Sequence, residues 1–366
     1  MKVIFEQLPP QVKRYFWIGL SLRLLATLFT SLAPDYVGYR LPIADCIASG
    51  KWLYCDCAYN HTPFYPYLSG LLNLLSFDQP LLQSVLITLP LAVGDALIVF
   101  AIYFLLKKFG KLTIAPSAAL FYALNPIALI EVSLAHWDGF TTFFFLVGLI
   151  YLHDHKTVKS GVFVGLGVLL KQFPLALVFI SFGRDKSVKK AIILGSITLA
   201  IVAVGFLPFL IKCPETFITN LSGHPLWKGA ASTGVGIGTL KDLFEHLQIP
   251  QAKIVWLVIF SGLLILPMLK ANTKNYFYFA GIVMVTLAWF TYVTHRQLLI
   301  WVMPFLLTFS LEKKNYWPLL LVAIGYAIRI IKPEWYFGLF YLVLGGWYYY
   351  VFLKEMIKDD PKTITS

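Results

Sequence analysis

The sequence predicts an all-α membrane protein, a polytopic bundle of roughly ten to twelve transmembrane helices with a long first outer loop. Three observations predict it. Hydrophobic residues make up 58% of the 366 and charged residues only 13%, against about 25% charged in a soluble domain. Mean hydropathy is +0.74. Apolar runs of membrane length alternate with short polar connections, and Lys and Arg gather in those connections in small groups, as topology signals do. The net charge of +12 is dispersed in this way, so membrane lipid is an expected partner and nucleic acid is not.

The elements follow in order. The first span is expected at Trp17–Ala33, preceded by Lys2, Lys13 and Arg14, which puts the N-terminus in the cytoplasm. No small-residue cleavage site follows it, so it should remain as an anchor. The segment 34–78 is then the first outer loop. Leu82–Leu106 returns to Lys107, Lys108 and Lys111 inside. The third span runs from Leu112 toward Glu131 and is interrupted at Asn125-Pro126, because Pro removes a helix donor. Ala135-His136-Trp137-Asp138 reads as a short outer turn, and Gly139–Leu152 comes back in to Lys156 and Lys159. Beyond 181 the spans are Ala191–Ile211, Ile254–Leu269, Tyr276–Tyr292, Leu298–Ser310, Trp317–Ile331 and Trp335–Leu353, with a second long outer loop at 212–252. Residues 1–353 are expected to form one transmembrane domain and 354–366 a polar, disordered cytoplasmic tail, so that both termini lie inside.

Gly161–Ser181 departs from the alternation. It is long enough for one crossing, yet both flanks are basic and Lys171-Gln172-Phe173-Pro174 breaks its centre. Two half-helices that dip in and return satisfy the charge rule. Such backbone is tolerated where protein or a wet cavity covers it. One ordinary crossing that violates the rule locally is the alternative.

Cys46, Cys55, Cys57 and Cys213 all fall on the outer side, where disulfides form. Four cysteines allow three connectivities, and the sequence does not choose among them. Cys55-Asp56-Cys57 lacks a second ligand pair at zinc-site spacing, so no metal is expected. Asn60-His61-Thr62 and Asn220-Leu221-Ser222 are outward sequons.

Ionisable groups inside spans need a reason. Arg23 reads as snorkelling to the inner face. Asp95 needs a partner, structural or catalytic. Arg329 can reach headgroups. Lys171, at the tip of the half-helices, would meet an anionic phosphate together with the half-helix dipoles. His295-Arg296-Gln297 stands at an outer mouth, where Arg can fork onto a phosphate. The second outer loop adds His224 and Lys228, beside a Gly-rich run that lacks the terminal GK[ST] of a phosphate loop. Asp35 is the strongest catalytic candidate. It opens the largest outer loop, follows a helix stop at Pro34, and precedes Tyr36, Tyr39 and Arg40. An interfacial Asp that only caps or meets water is the plain alternative.

Four blocks together resemble the C-type integral-membrane glycosyltransferases, most closely the mannosyltransferases that use a polyprenyl- or dolichyl-phosphate sugar, including the first mannosyltransferase of GPI-anchor assembly. The blocks are Asp35-Tyr36 with Ala44, Gly50, Tyr54 and YNHTPFYPYL, then LNPIALIEVSLAHWDGF, GVLLKQFPL and THRQLLIWVMPFLL. They occur in the family's order across most of the chain. Where that family often has two acids in the first block, only Asp35 is present.

The resemblance implies a C-type bundle and an inverting transfer of a hexose, mannose or glucose, from a polyprenyl-phosphate donor to a hydroxyl acceptor at the outer face. In that scheme Asp35 is the general base. Lys171 and Arg296, then Lys228 and His224, bind the donor phosphate. Tyr36, Tyr39, Arg40, Asp138, His295 and Gln297 bind substrate or support the site. No cofactor is expected. A transporter or flippase is the rival class, since broken helices with ionisable groups at half depth fit it too. The long first outer loop and the lack of an internal repeat favour the enzyme.

Overall fold

The computed structural model describes the backbone of residues 8–222, 248–290, 296–331 and 335–358. Among these residues the protein is helical throughout, without strands; one isolated bridge pairs Leu53 with Cys57. The fold is that of an all-α polytopic membrane protein. Among the described residues four stretches are long and apolar enough to cross a bilayer: Pro80–Lys108, Ala115–Ser133, Val188–Lys212 and Ala252–Lys270. The chain divides into two compact units, one of Met1–Leu175 with Ile193–His224, the other of Ala176–Ile192 with Pro225–Ser366.

The first unit begins with α1 (Pro10–Thr27), opened by a proline whose missing N–H costs nothing at a helix start. In this unit α2 (Leu41–Ala48) and α3 (Phe64–Asn73) occupy much of the expected outer loop. That segment is a packed cap of short helices, and its apolar faces bury Ile43, Tyr65 and Gly70. Next come α4 (Pro80–Ala96), α5 (Ile98–Lys108), α6 (Ala115–Ala123) and α7 (Pro126–Ser133). The break between α6 and α7 falls where the sequence places it. Asn125 caps α7 by accepting from the Ile127 N–H at 3.0 Å. Antiparallel neighbours α8 (Asp138–His153) and α9 (Thr157–Val168) pack along each other, and α11 (Val188–Lys212, in this unit from Ile193) leads to α12 (Pro214–Ser222).

Arg23 corrects the expectation that it snorkels. The helix that carries it starts at Pro10, not near Trp17, so Arg23 lies about 20 Å along the axis at 1.5 Å per residue. Its side chain is fully buried and its Nε donates to Asp95 of α4. Its Nη1 donates to the carbonyls of Gly19 and Ala123, each at 3.0 Å, and its Nη2 to that of Tyr122 at 3.2 Å. The Tyr122 hydroxyl donates to the second Asp95 oxygen at 3.0 Å. This bond set joins α1, α4 and α6.

The second unit is built around α14 (Tyr276–Trp289), buried on nearly every side. A helix that is apolar all round needs partners all round. Here they are α10 (Ala176–Asp185), α13 (Ala252–Lys270), α15 (Leu299–Lys313) and α17 (Trp335–Lys358), while α16 (Trp317–Ile331) packs on α15 and α17. The run at 161–181 is thus two short helices, α9 and α10, separated by a 3-10 turn at Phe173–Leu175. At the other end α17 continues to Lys358, past the expected start of the tail. Phe352 and Met356 are buried, and Glu355 pairs with Lys313 and with Lys358, the latter at 3.0 Å. The residues after 358 lie outside the described ones.

Removing one member of a buried ion pair strands the other, at a cost of about 3–5 kcal/mol. Asp95→Ala is therefore expected to lower stability by about that amount, measured as the unfolding midpoint in detergent. Gly139→Ala should also destabilise, because its new Cβ would lie 1.8 Å from Asp95 Oδ2. Unchanged midpoints in both variants would remove the pair from any structural role.

Candidate active site

The first unit places Asp35 by a succession of backbone constraints. After α1 ends, a 3-10 turn at Thr30–Leu32 leads to Ala33, which is extended at φ −79° and ψ 127°. The residue before a proline avoids the helical region, so Pro34 dictates that change of direction. The chain then re-enters a helical path at Asp35 and makes a π-helical turn over Tyr36–Arg40. Such turns are rare and concentrate at functional sites. The Asp35 side chain is 60% exposed.

His136 meets it. The end of α7 is a Schellman turn: Ala135 is left-handed at φ 59°, the His136 N–H donates to the Glu131 carbonyl at 3.0 Å, and the Ala135 N–H donates to the Val132 carbonyl at 3.0 Å. This geometry folds the His136 ring back over the helix end. Its Nδ1 contacts the Glu131 carboxylate, and its Nε2 lies 2.7 Å from Asp35 Oδ2. Glu131 and His136 are buried. Burial opposes a charge on the His136 ring, but the hydrogen bonds to Asp35 and Glu131, aided by the charges of Glu131 and Asp138, outweigh it and raise its pKa.

Two residues on, Asp138 opens α8, where a carboxylate suits the helix N-terminus. It is buried and accepts from Lys171 Nζ at 2.8 Å. Lys171 follows the end of α9 with its own N–H on the Gly167 carbonyl at 2.9 Å. The Asn60-to-Phe64 stretch docks onto that same helix end. Thr62 Oγ1 donates to the Leu170 carbonyl at 2.7 Å and the Phe64 N–H to the Leu169 carbonyl at 3.2 Å. Three of the four sequence blocks thus converge within one unit.

Arg40 supports this assembly from behind. Its guanidinium lies 3.5 Å from the centre of the Trp137 ring and 4.9 Å from that of Tyr39. Its Nε donates to the Ala135 carbonyl at 3.3 Å. Tyr39 donates to Asn60 Oδ1 at 2.6 Å, and burial pushes its hydroxyl up to about 12. Tyr36 is buried at 2% exposure. Like Tyr54 and Tyr59 it packs in the core of this unit. The cysteines pair as Cys46–Cys57 and Cys55–Cys213, the second bridge joining the 53–57 loop to the end of α11. Asn220 of the second sequon donates to the Tyr54 carbonyl at 2.9 Å.

The structure therefore brings together Asp35, Arg40, Asp138 and Lys171 from the sequence-derived set. His224, Lys228 and His295 lie outside the described residues, as does the side chain of Arg296, whose backbone begins a 3-10 turn at Arg296–Leu298. Gln297 is partly buried in the second unit. Sequence reasoning missed Glu131 and His136. The one signal was an acid and a histidine flanking a helix end, a spacing that periodicity alone does not separate from an ordinary polar turn.

A comparison with curated proteins finds no match. The sequence model of Glycosyltransferase family 87 matches residues 59–266, more than half of the chain, including the histidine, the two buried carboxylates and the lysine of this site. The chain belongs to Glycosyltransferase family 87.

Proposed function

We propose that this glycosyltransferase is of the C type and inverting. In this reading it moves a hexose, mannose before glucose, from a polyprenyl-phosphate-linked donor to a hydroxyl acceptor at the extracytoplasmic face. The acceptor is a lipid-linked glycan, a glycolipid or a protein. Family membership supports glycosyl transfer. One observation carries the rest: an exposed carboxylate, Asp35, with one oxygen held at 2.7 Å by His136 and a lysine–carboxylate pair two residues beyond that histidine.

The chemistry follows. The acceptor oxygen attacks the anomeric carbon from the face opposite the phosphate, and its proton passes to Asp35. The bond from the anomeric carbon to the phosphate oxygen breaks, and the departing lipid phosphate keeps the electron pair. Lys171, directed by Asp138, meets that growing charge. Arg296, His224 and Lys228 are assigned to the donor phosphate, and His295 and Gln297 to substrate binding or support of the site, from the sequence.

The same proposal makes α9 and α10 the arms of a re-entrant hairpin. Within the first unit the end of α9 reaches the start of α8, the outer end on the charge rule. Within the second, the end of α10 meets the start of α14 and the end of α13: Arg184 lies 5.2 Å from the Tyr276 ring centre, and Lys186 Nζ donates to the Met268 carbonyl. Lys270 and Lys274 mark that end as cytoplasmic.

Purified protein incubated with a panel of polyprenyl-phosphate sugars should release lipid phosphate with one of them. In that assay Asp35→Asn should lose at least about a hundredfold in kcat, since general-base catalysis contributes about 10²–10⁴-fold, and should still bind donor. Asp35→Glu should recover little. A fully active Asp35→Asn enzyme would exclude this base. Lys171→Gln, which leaves Asp138 a hydrogen-bond donor, and Arg296→Ala should each weaken donor use without unfolding; normal donor affinity and turnover in both would refute the phosphate assignment. A cysteine at Ser187 should resist impermeant labelling from outside intact cells, and efficient labelling there would rule out the hairpin.

A further inference from the structure

We propose that His136 is a positioning residue for Asp35: held as an imidazolium between Asp35 and Glu131, it fixes Asp35 Oδ2 and so orients the carboxylate that takes the acceptor proton. This rests on the assignment of Asp35 as the base.

Both ring nitrogens of His136 face carboxylate oxygens, Nε2 toward Asp35 at 2.7 Å and Nδ1 toward Glu131. A neutral imidazole carries one N–H and one lone pair, so it can donate to only one of two carboxylates. The protonated ring donates to both. The neighbouring carboxylates favour the same form. Asp35 comes from the turn after α1, Glu131 from α7 and Asp138 from α8, three carboxylates in all. Lys171 after α9 is bound to Asp138, and the Arg40 guanidinium is turned to Trp137 and the Ala135 carbonyl. A proton on His136 offsets the carboxylates on either side of it.

The ring is held from two sides. The left-handed Ala135 turn fixes its backbone, and Glu131, at 2% exposure, anchors its far nitrogen. An anchored Oδ2 sets the plane of the Asp35 carboxylate, which otherwise turns about its last torsion. Base catalysis requires the accepting oxygen within hydrogen-bond reach of the proton it removes. During transfer the acceptor proton passes to the Asp35 carboxylate, and His136 keeps both of its own. When His136 loses a proton at alkaline pH, one of its two hydrogen bonds is lost and the ring no longer bridges Asp35 to the buried Glu131.

The test is the pH dependence of kcat/KM for purified enzyme and a polyprenyl-phosphate mannose donor. Glu131→Gln keeps an acceptor for Nδ1 but removes the charge that supports the proton. Its alkaline limb should move to lower pH, with donor KM unchanged. His136→Gln still donates to Asp35 but does not titrate. It should lower kcat about 10–100-fold, less than Asp35→Asn, by forfeiting part of the base contribution, and should show no alkaline limb from this site. An alkaline limb that stays at the wild-type pH in Glu131→Gln would overturn the proposal. Should Glu131→Gln not fold, a wild-type alkaline limb in His136→Gln overturns it equally, and a missing limb supports it. Asp35→Asn separates the two levels: if it is active, the base assignment fails; if it is inactive while the limbs do not move, only the role of His136 fails.

Discussion

A guanidinium and a carboxylate buried together hold the first unit in register. Arg23 satisfies its donors on Asp95 and on three backbone carbonyls from α1 and α6, and Asp95 takes a further bond from Tyr122. Either charge alone would be costly at such depth, which ties the three helices to one arrangement. Gly139, the second residue of α8, lies against Asp95 so closely that no side chain fits between. The pair thereby sets where α8 begins, and α8 begins with Asp138. The position of the lysine-bearing helix end and of the His136 turn follows from this contact deep in the bundle.

Above it, the site is made from helix ends. Asp35 follows α1, Glu131 and His136 terminate α7, Asp138 starts α8, and Lys171 follows α9. Chain ends of helices have backbone groups to satisfy and room for polar side chains, while their middles face lipid or protein. The short helices between α1 and α4 and the two disulfides cap these ends. The Thr62 and Phe64 bonds to the end of α9 fasten the cap to the bundle beside Lys171.

The bilayer acts as the solvent for the remainder. Along α11 and α13 many large apolar side chains are exposed, such as Val204 and Leu266, whereas α14 is buried among its neighbours. An exposed leucine on such a helix meets hydrocarbon and needs no partner, so burial here marks helix–helix contact and not hydrophobicity.

That distinction explains what the sequence by itself determined. Membrane class, the order of the apolar helices, the proline breaks at Asn125-Pro126 and before Phe173-Pro174, and the turn of the chain at Pro34 before Asp35 are local matters of hydropathy and backbone sterics. They are legible one window at a time. What only the tertiary structure decided is pairing. Arg23 reads as snorkelling until Asp95 is placed beside it, the cysteines allow three connectivities until the cap folds, and His136 is a turn residue until its ring lies between Glu131 and Asp35. Each of these is a contact between residues on different elements, and the favourable energy depends on distance in space, which periodicity along the chain does not encode.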